Sequence, residues 1–381
     1  MIFLELILLL GLLAAAFVGI NIGGSSTGVA FGPSVGSKLV SKPGAAALMT
    51  VFAFLGGWTV GRNVIATMGG KIVPASQFSI TASVIILFFI GLSLLISNLS
   101  GVPASTSMTA VGAIAGLGIA TNSLNWSVMG TILSWWLVAP AFAFLAGGVI
   151  GRYIYVHLDD YFHIEQSHGS LIELSLSERK FGLGPGTTKK EFFSSLLVLS
   201  IACYMAFSAG ASNVANAVAP LIGSEMVKMD QGIILAVLAM SIGGFTIARK
   251  TLDTVGDGIT DLPLMAALVV SVISASIISV LSAMGIPASL AISSTMCITG
   301  LGWGRASRTV KASHVVKGKK KPSLKAAALH VDEKKPIGEE SEEEIPDKKL
   351  FNPDIISHVV TFWILTPVIS AGLSFLVFIL I

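Results

Sequence analysis

Four short segments of this chain concentrate uncharged hydrogen-bonding side chains among small residues. They carry Ser25, Ser26 and Thr27 in GGSSTGVAFGPSVGS (23–37), and Ser105, Thr106 and Ser107 in GVPASTSMTAVGAIAGLG (101–118). Ser212, Asn213 and Asn216 follow in GASNVANAVAPLIGS (210–224), and Ser289 in GIPASLAISSTMCITGLG (285–302). Hydroxyl and amide donors suit the acceptor oxygens of a small oxyanion. GVPAS and GIPAS add a second source of donors. Proline fits the first turn of a helix because its missing N–H has no intrahelical partner there, so each motif reads as the start of a short helix. The N–H groups around Ala104, Ser105 and Thr106, and around Ala288 and Ser289, then point outward with the positive end of the helix dipole. Such termini bind anions without basic side chains. The side-chain oxygens of Asn21, Asn213 and Asn216 are the candidate ligands for a cation.

The same segments argue against other chemistry. None of the four contains His or Glu, so a nucleophile with its base, or a metal-assisted hydrolase, finds no support in them. Cys203 and Cys297 each sit alone in an apolar stretch and read as small buried hydrophobes. His157, His163 and His168 fit no standard metal-ligand spacing. No cofactor and no nucleic-acid partner is expected.

The elements that must hold these residues are set by composition. Hydrophobic residues make up 53% of the 381-residue chain and charged residues 12%, with a mean hydropathy of +0.84. That is too little polar surface for a water-soluble globule of this size, so the solvent is the lipid bilayer. A bilayer core of about 30 Å needs roughly 20 apolar residues per helix. Stretches at 2–20, 43–61, 79–97, 127–151, 192–209, 231–248, 264–283 and 356–380 qualify, the first as a retained helix and not a cleaved signal. The interrupted segments 21–38, 99–121, 210–224 and 285–304 are expected to be broken or re-entrant helices, tolerated at membrane depth only where protein or a watery cavity satisfies their backbone.

The expected organisation is a first transmembrane repeat (1–151), a hydrophilic linker (152–191), a second repeat (192–306), a charged loop (307–355) and a final helix (356–381). Twelve of the 24 Lys and Arg residues fall within 303–350, which places loop 307–355 on the cytoplasmic side of a plasma-membrane protein and both termini outside.

The chain also repeats itself. A shift of 187 residues lays segment 23–37 on 210–224, and RNVIATMGGKIV (62–73) on RKTLDTVGDGIT (249–260); a shift of 184 lays 101–118 on 285–302. The expected fold is therefore an all-α integral membrane protein of two inverted-topology repeats, with the broken helices meeting at the bilayer midplane.

The motifs resemble those of the inorganic phosphate transporter (PiT) family, whose halves each carry a G-x-N-D-x-A-N signature and a downstream G-x-P-x-S-T-T segment. Gly210, Ala211, Ser212, Asn213, Val214, Ala215 and Asn216 match the second signature with Ser and Asn in place of its Asn-Asp pair. In the first half Gly23, Gly24, Ser25, Ser26, Thr27, Gly28 and Val29 stand at the corresponding positions, so both signature aspartates are replaced. NIGGSSTGVAFG (21–32) is similar to the CysP-type sulfate permease branch of that family. The resemblance implies a symporter for an inorganic oxyanion, coupled to H+ or Na+, and a possible homodimer. Hydrogen phosphate brings a proton that a carboxylate can accept, whereas sulfate is an acceptor only, so a pocket without aspartate is better matched to sulfate. A sodium-coupled phosphate transporter and an anion channel are the alternatives. For a proton carrier the ionisable residues are Glu5, Asp253, Asp257 and Asp261.

Overall fold

The computed structural model describes residues 2–99, 105–162, 172–175, 180–183, 188–248, 262–309 and 353–381. Among them the body is helical. The order is α1 (Ile2–Gly36), α2 (Lys42–Trp58), α3 (Gly61–Ala66, running into a π-turn at Thr67–Lys71), α4 (Ile80–Leu99), α5 (Thr106–Ala120), α6 (Trp126–Tyr153) and α7 (Tyr155–Phe162). After these come α8 (Lys189–Gly223), α9 (Met229–Thr246), α10 (Leu264–Ala283), α11 (Leu290–Ala306) and α12 (Pro353–Leu380). The hydrophilic linker adds a short antiparallel hairpin, β1 (Ile172–Ser175) with β2 (Lys180–Leu183), in which Ile172 faces Leu183.

Seven of the described helices are long and apolar enough to cross a membrane, and α2 with α3, bent by 59°, makes an eighth if counted as one span. Their surfaces match a lipid solvent: Leu133, Leu137, Phe142 and Leu145 of α6 are exposed, whereas the buried core carries Ser26, Asn213, Asn216 and Ser289 beside Phe31, Ile22 and Met68. The chain is a multi-pass membrane protein.

Two of the four interrupted segments behave as expected and two do not. α5 and α11 start afresh after their Pro-containing motifs, with Ser105 and Ser289 as N-caps. Residues 21–36 and 210–223, by contrast, are continuous helix. α1 and α8 run 35 residues each through the motifs, about 52 Å at 1.5 Å per residue. The hydroxyls there are satisfied within the helix by bonding back to the preceding turn, as Thr27 does to Gly23 O at 2.8 Å and Ser25 to Ile22 O at 3.1 Å.

The glycines serve close packing between helices. A Cβ on Gly23 would lie 1.9 Å from Met240 O of α9, and one on Gly210 would lie 2.2 Å from Ala53 O of α2. Sequence composition cannot separate a glycine that bends a helix from one that lets a neighbour approach.

The elements of the two halves correspond. The bounds of α1 and α8 differ by 187 residues at both ends, those of α4 and α10 by 184, and α6 and α12 are both 28 residues long with an internal proline, Pro140 and Pro367. Contacts are exchanged between halves: α1 packs on α9 and α2 on α8, while α5 packs on α12 and α11 on α6. Gly56 abuts Phe207 O as Gly243 abuts Ile20 O, each pair being the other displaced by 187. α12 thus belongs to the body despite the charged segment before it, and its Ser370 and Ser374 donate to Thr109 O and Ala113 O of α5 at 2.7 Å.

Candidate functional site

α1 and α8 cross where Asn213 Nδ2 donates to Ser26 Oγ at 3.2 Å, the two residues being equivalents under the 187-residue shift. Between this crossing and the starts of α5 and α11 lies a cavity of about 50 Å³. Its polar lining is Asn21, Ser25, Ser26, Thr106, Asn213 and Ser289. Its apolar lining is Val29, Leu94, Leu290 and Ala291. No lining residue is charged.

Each helix start is organised by its serine. Ser105 Oγ accepts from Met108 N, and Ser289 Oγ from Ile292 N, both at 3.3 Å. Leu290 and Ala291 carry the first two N–H groups of α11, which have no carbonyl one turn earlier to bond, and both residues line the cavity. Pro287 lies two residues before the N-cap, not in the first helical turn, so the free donors of this half belong to Leu290 and Ala291 instead of Ala288. Pro103 and Ala104 lie outside the described residues.

Behind the lining stands a second layer. Thr106 Oγ1 donates to Asn213 Oδ1 at 2.8 Å, and Asn216 Nδ2 donates to Thr106 Oγ1, Ser107 Oγ and Asn213 Oδ1 at 3.2–3.3 Å. Ser107 and Ser212 both donate to Ala288 O, at 3.1 and 2.8 Å. Their hydroxyl protons therefore face the protein and not the cavity. Asn216 Oδ1 is buried and accepts no hydrogen bond.

Of the residues singled out in the sequence, six line the cavity. Ser107, Ser212 and Asn216 support it from behind, and Ser105 caps α5. Thr27 turns away: its hydroxyl is held by Gly23 O, and it packs under Gly244 of α9. The four apolar residues had no sequence signal, because an apolar helix does not announce which of its faces borders a cavity.

Glu5 is exposed near the start of α1, far along the helix from Ser26. Asp253, Asp257 and Asp261, the segment 249–260 of the second repeat pair, and His163 and His168 lie outside the described residues. Among the described residues no group of three or more His, Cys, Asp or Glu forms a metal cluster. Cys203 and Cys297 are buried free thiols.

The fold defines a class of multi-pass membrane protein: paired sets of helices with an uncharged pocket between them. The profile of the Phosphate transporter family matches residues 22–374, and the chain belongs to that family of transporters. The sulfate permease CysP of Bacillus subtilis (strain 168) is 29% identical over 309 residues, which cover 81% of this chain and 80% of that protein. A relative from Haemophilus influenzae with phosphate permease in its name is 25% identical, covering 76% of this chain and 86% of its own. In fold, a solved structure described as "The sodium-dependent phosphate transporter" superposes with a TM-score of 0.70 across 98% of both chains, at 19% identity.

Proposed function

We propose that this protein is a secondary active symporter for a small inorganic oxyanion, sulfate before phosphate, and that the cavity between α1, α8, α5 and α11 is its binding site. The observation that carries the reading is a partly buried pocket bounded by two helix N-termini, with neutral polar side chains and no charged one in its lining. Two termini contribute about half a positive charge each, which offsets part of a dianion's charge without a basic side chain. The volume of about 50 Å³ exceeds the roughly 10–15 Å³ that a cavity needs to hold one water, so the site has room for a small ligand.

The hydrogen count selects the ligands. Ser26 and Ser289 accept at Oγ and keep their own protons, Asn213 keeps the second hydrogen of its amide, and Leu290 and Ala291 offer backbone N–H. These five groups are the proposed anion donors. Every one donates and none is a carboxylate, which suits an oxyanion with no proton to share. Asn216 Oδ1 is the neutral oxygen offered to a coupling sodium, with a proton as the rival coupling ion.

The two halves are read as inverted-topology repeats that meet at the bilayer midplane. α1 and α8, the equivalent first helices, run antiparallel where they touch, with Gly11 against Leu221 and Ser26 against Asn213, and this supports the inversion. Rocking of the paired bundles then exposes the cavity to either side in turn. On this reading the protein sits in the plasma membrane with loop 307–355 cytoplasmic and both termini outside, and a homodimer is the assembly that the family resemblance implies.

Equilibrium binding of sulfate and phosphate to purified protein tests the site. Wild-type protein is expected to bind sulfate more tightly than phosphate. Asn213→Asp, which sets a carboxylate beside the anion, is expected to weaken sulfate more than about tenfold, as an uncompensated like charge in a partly buried site costs over ~1.4 kcal/mol. Tight phosphate binding with no sulfate binding would reverse the substrate assignment in favour of the phosphate reading that the H. influenzae relative suggests.

A further inference from the structure

The turn between α10 and α11 is gripped through its backbone carbonyls from four directions. Asn63 Nδ2 of α3 donates to Ala283 O at 2.8 Å, and Trp136 Nε1 of α6 donates to Pro287 O at 2.8 Å. The hydroxyls of Ser107 and Ser212 donate to Ala288 O. Within the turn Gly285 has φ +74°, and a Cβ there would lie 2.8 Å from the Thr67 hydroxyl, so no other residue fits without displacement. With these carbonyls bonded outward, Ser289, Leu290 and Ala291 open α11 toward the cavity.

Among the clamps Trp136 is set apart by its position. α6 contributes no residue to the cavity lining, yet Trp136 lines a second, smaller crevice with Trp135, Ala139, Pro140, Met108 and Ser289, and Ser289 lines the cavity as well. The geometry points to Trp136 as a positioning residue for anion affinity, its indole N–H fixing the direction in which the first N–H groups of α11 face. This inference rests on the reading of the cavity as the oxyanion site. Phenylalanine at this position keeps the ring and removes the one donor, leaving Pro287 O without its partner. A backbone carbonyl so stranded in the interior draws the turn toward another donor, and the α11 terminus moves with it.

The experiment compares full-length wild-type protein with Trp136→Phe and Trp135→Phe. Trp135→Phe alters the neighbouring ring of the same crevice without touching the Pro287 carbonyl. Two quantities are read: the dissociation constant for sulfate, with phosphate in parallel, and amide hydrogen exchange in peptides spanning 284–296. Trp136→Phe is expected to raise the sulfate dissociation constant about fivefold, the loss of one hydrogen bond's net worth. It is also expected to speed exchange at 289–292, with the midpoint of thermal unfolding close to wild type, while Trp135→Phe changes neither quantity. Unchanged exchange in Trp136→Phe overturns the inference. So does faster exchange with wild-type sulfate affinity, and in both cases the anion-site reading stands. Wild-type protein that binds neither oxyanion overturns that reading and this inference together.

Discussion

At the scale of single residues, the division of labour in the cavity follows from where each hydroxyl proton goes. Ser26 and Ser289 line the cavity and accept at Oγ, whereas the Ser107 and Ser212 hydroxyls donate to Ala288 O. Hydrogen bonds to a charged ligand are worth about 1.5–3 kcal/mol, so Ser26→Ala and Ser289→Ala are each expected to raise the sulfate dissociation constant at least ~10-fold in equilibrium binding. Thr27→Ala is expected to leave it unchanged, since that hydroxyl bonds Gly23 O outside the cavity. This contrast marks the limit of what the sequence discloses. Ser25, Ser26 and Thr27 are equivalent as letters, and the 100° turn between successive helical residues carries Thr27 off the face that Ser26 occupies. Ser26, Asn213 and Ser289 were legible because their motifs recur in both halves, at shifts of 187 and 184. Val29, Leu94, Leu290 and Ala291 were not, since an apolar residue beside a cavity looks like one beside lipid.

At the scale of elements, most spans were legible from hydropathy alone, and α10 falls at 264–283 as the apolar stretch does. The starts of α5 and α11 were legible too, because the serine of each motif is an N-cap signal with a physical cause, although Pro287 stands before the first turn and not in it. What escaped was the continuity of α1 and α8, where glycine, serine and threonine admit close neighbours and back-bonded hydroxyls without interrupting the ladder. The distinction predicts a pattern of stabilities. Gly23→Ala and Gly210→Ala push a methyl into the carbonyls of Met240 and Ala53 and are expected to destabilise by about 1–3 kcal/mol or more, read as a lower midpoint of thermal unfolding in detergent. Gly130→Ala, with nothing within 4 Å of its added carbon, is expected to leave that midpoint unchanged or to raise it slightly. Equal losses at all three positions would argue for flexibility and against packing as the reason for glycine.

At the scale of the whole molecule, each half completes the other: α1 packs on α9, α2 on α8, α5 on α12 and α11 on α6. A molecule built of exchanged contacts has its polar groups where the halves meet, and that is where the cavity lies. The duplication was readable in three pairs of motifs, whereas the pairing of helices across it was not, because contacts between distant segments leave no local pattern. On the proposed reading, the same organisation would provide the two bundles that rock against each other in alternating access. Oxyanion accumulation by purified protein in proteoliposomes, with labelled sulfate and phosphate under an imposed proton gradient and separately under a sodium gradient, tests that most directly. The account predicts that sulfate rises above its equilibrium level under one of the two gradients and that Asn213→Asp abolishes the rise. Sulfate that only equilibrates under either gradient, as through a channel, would contradict it.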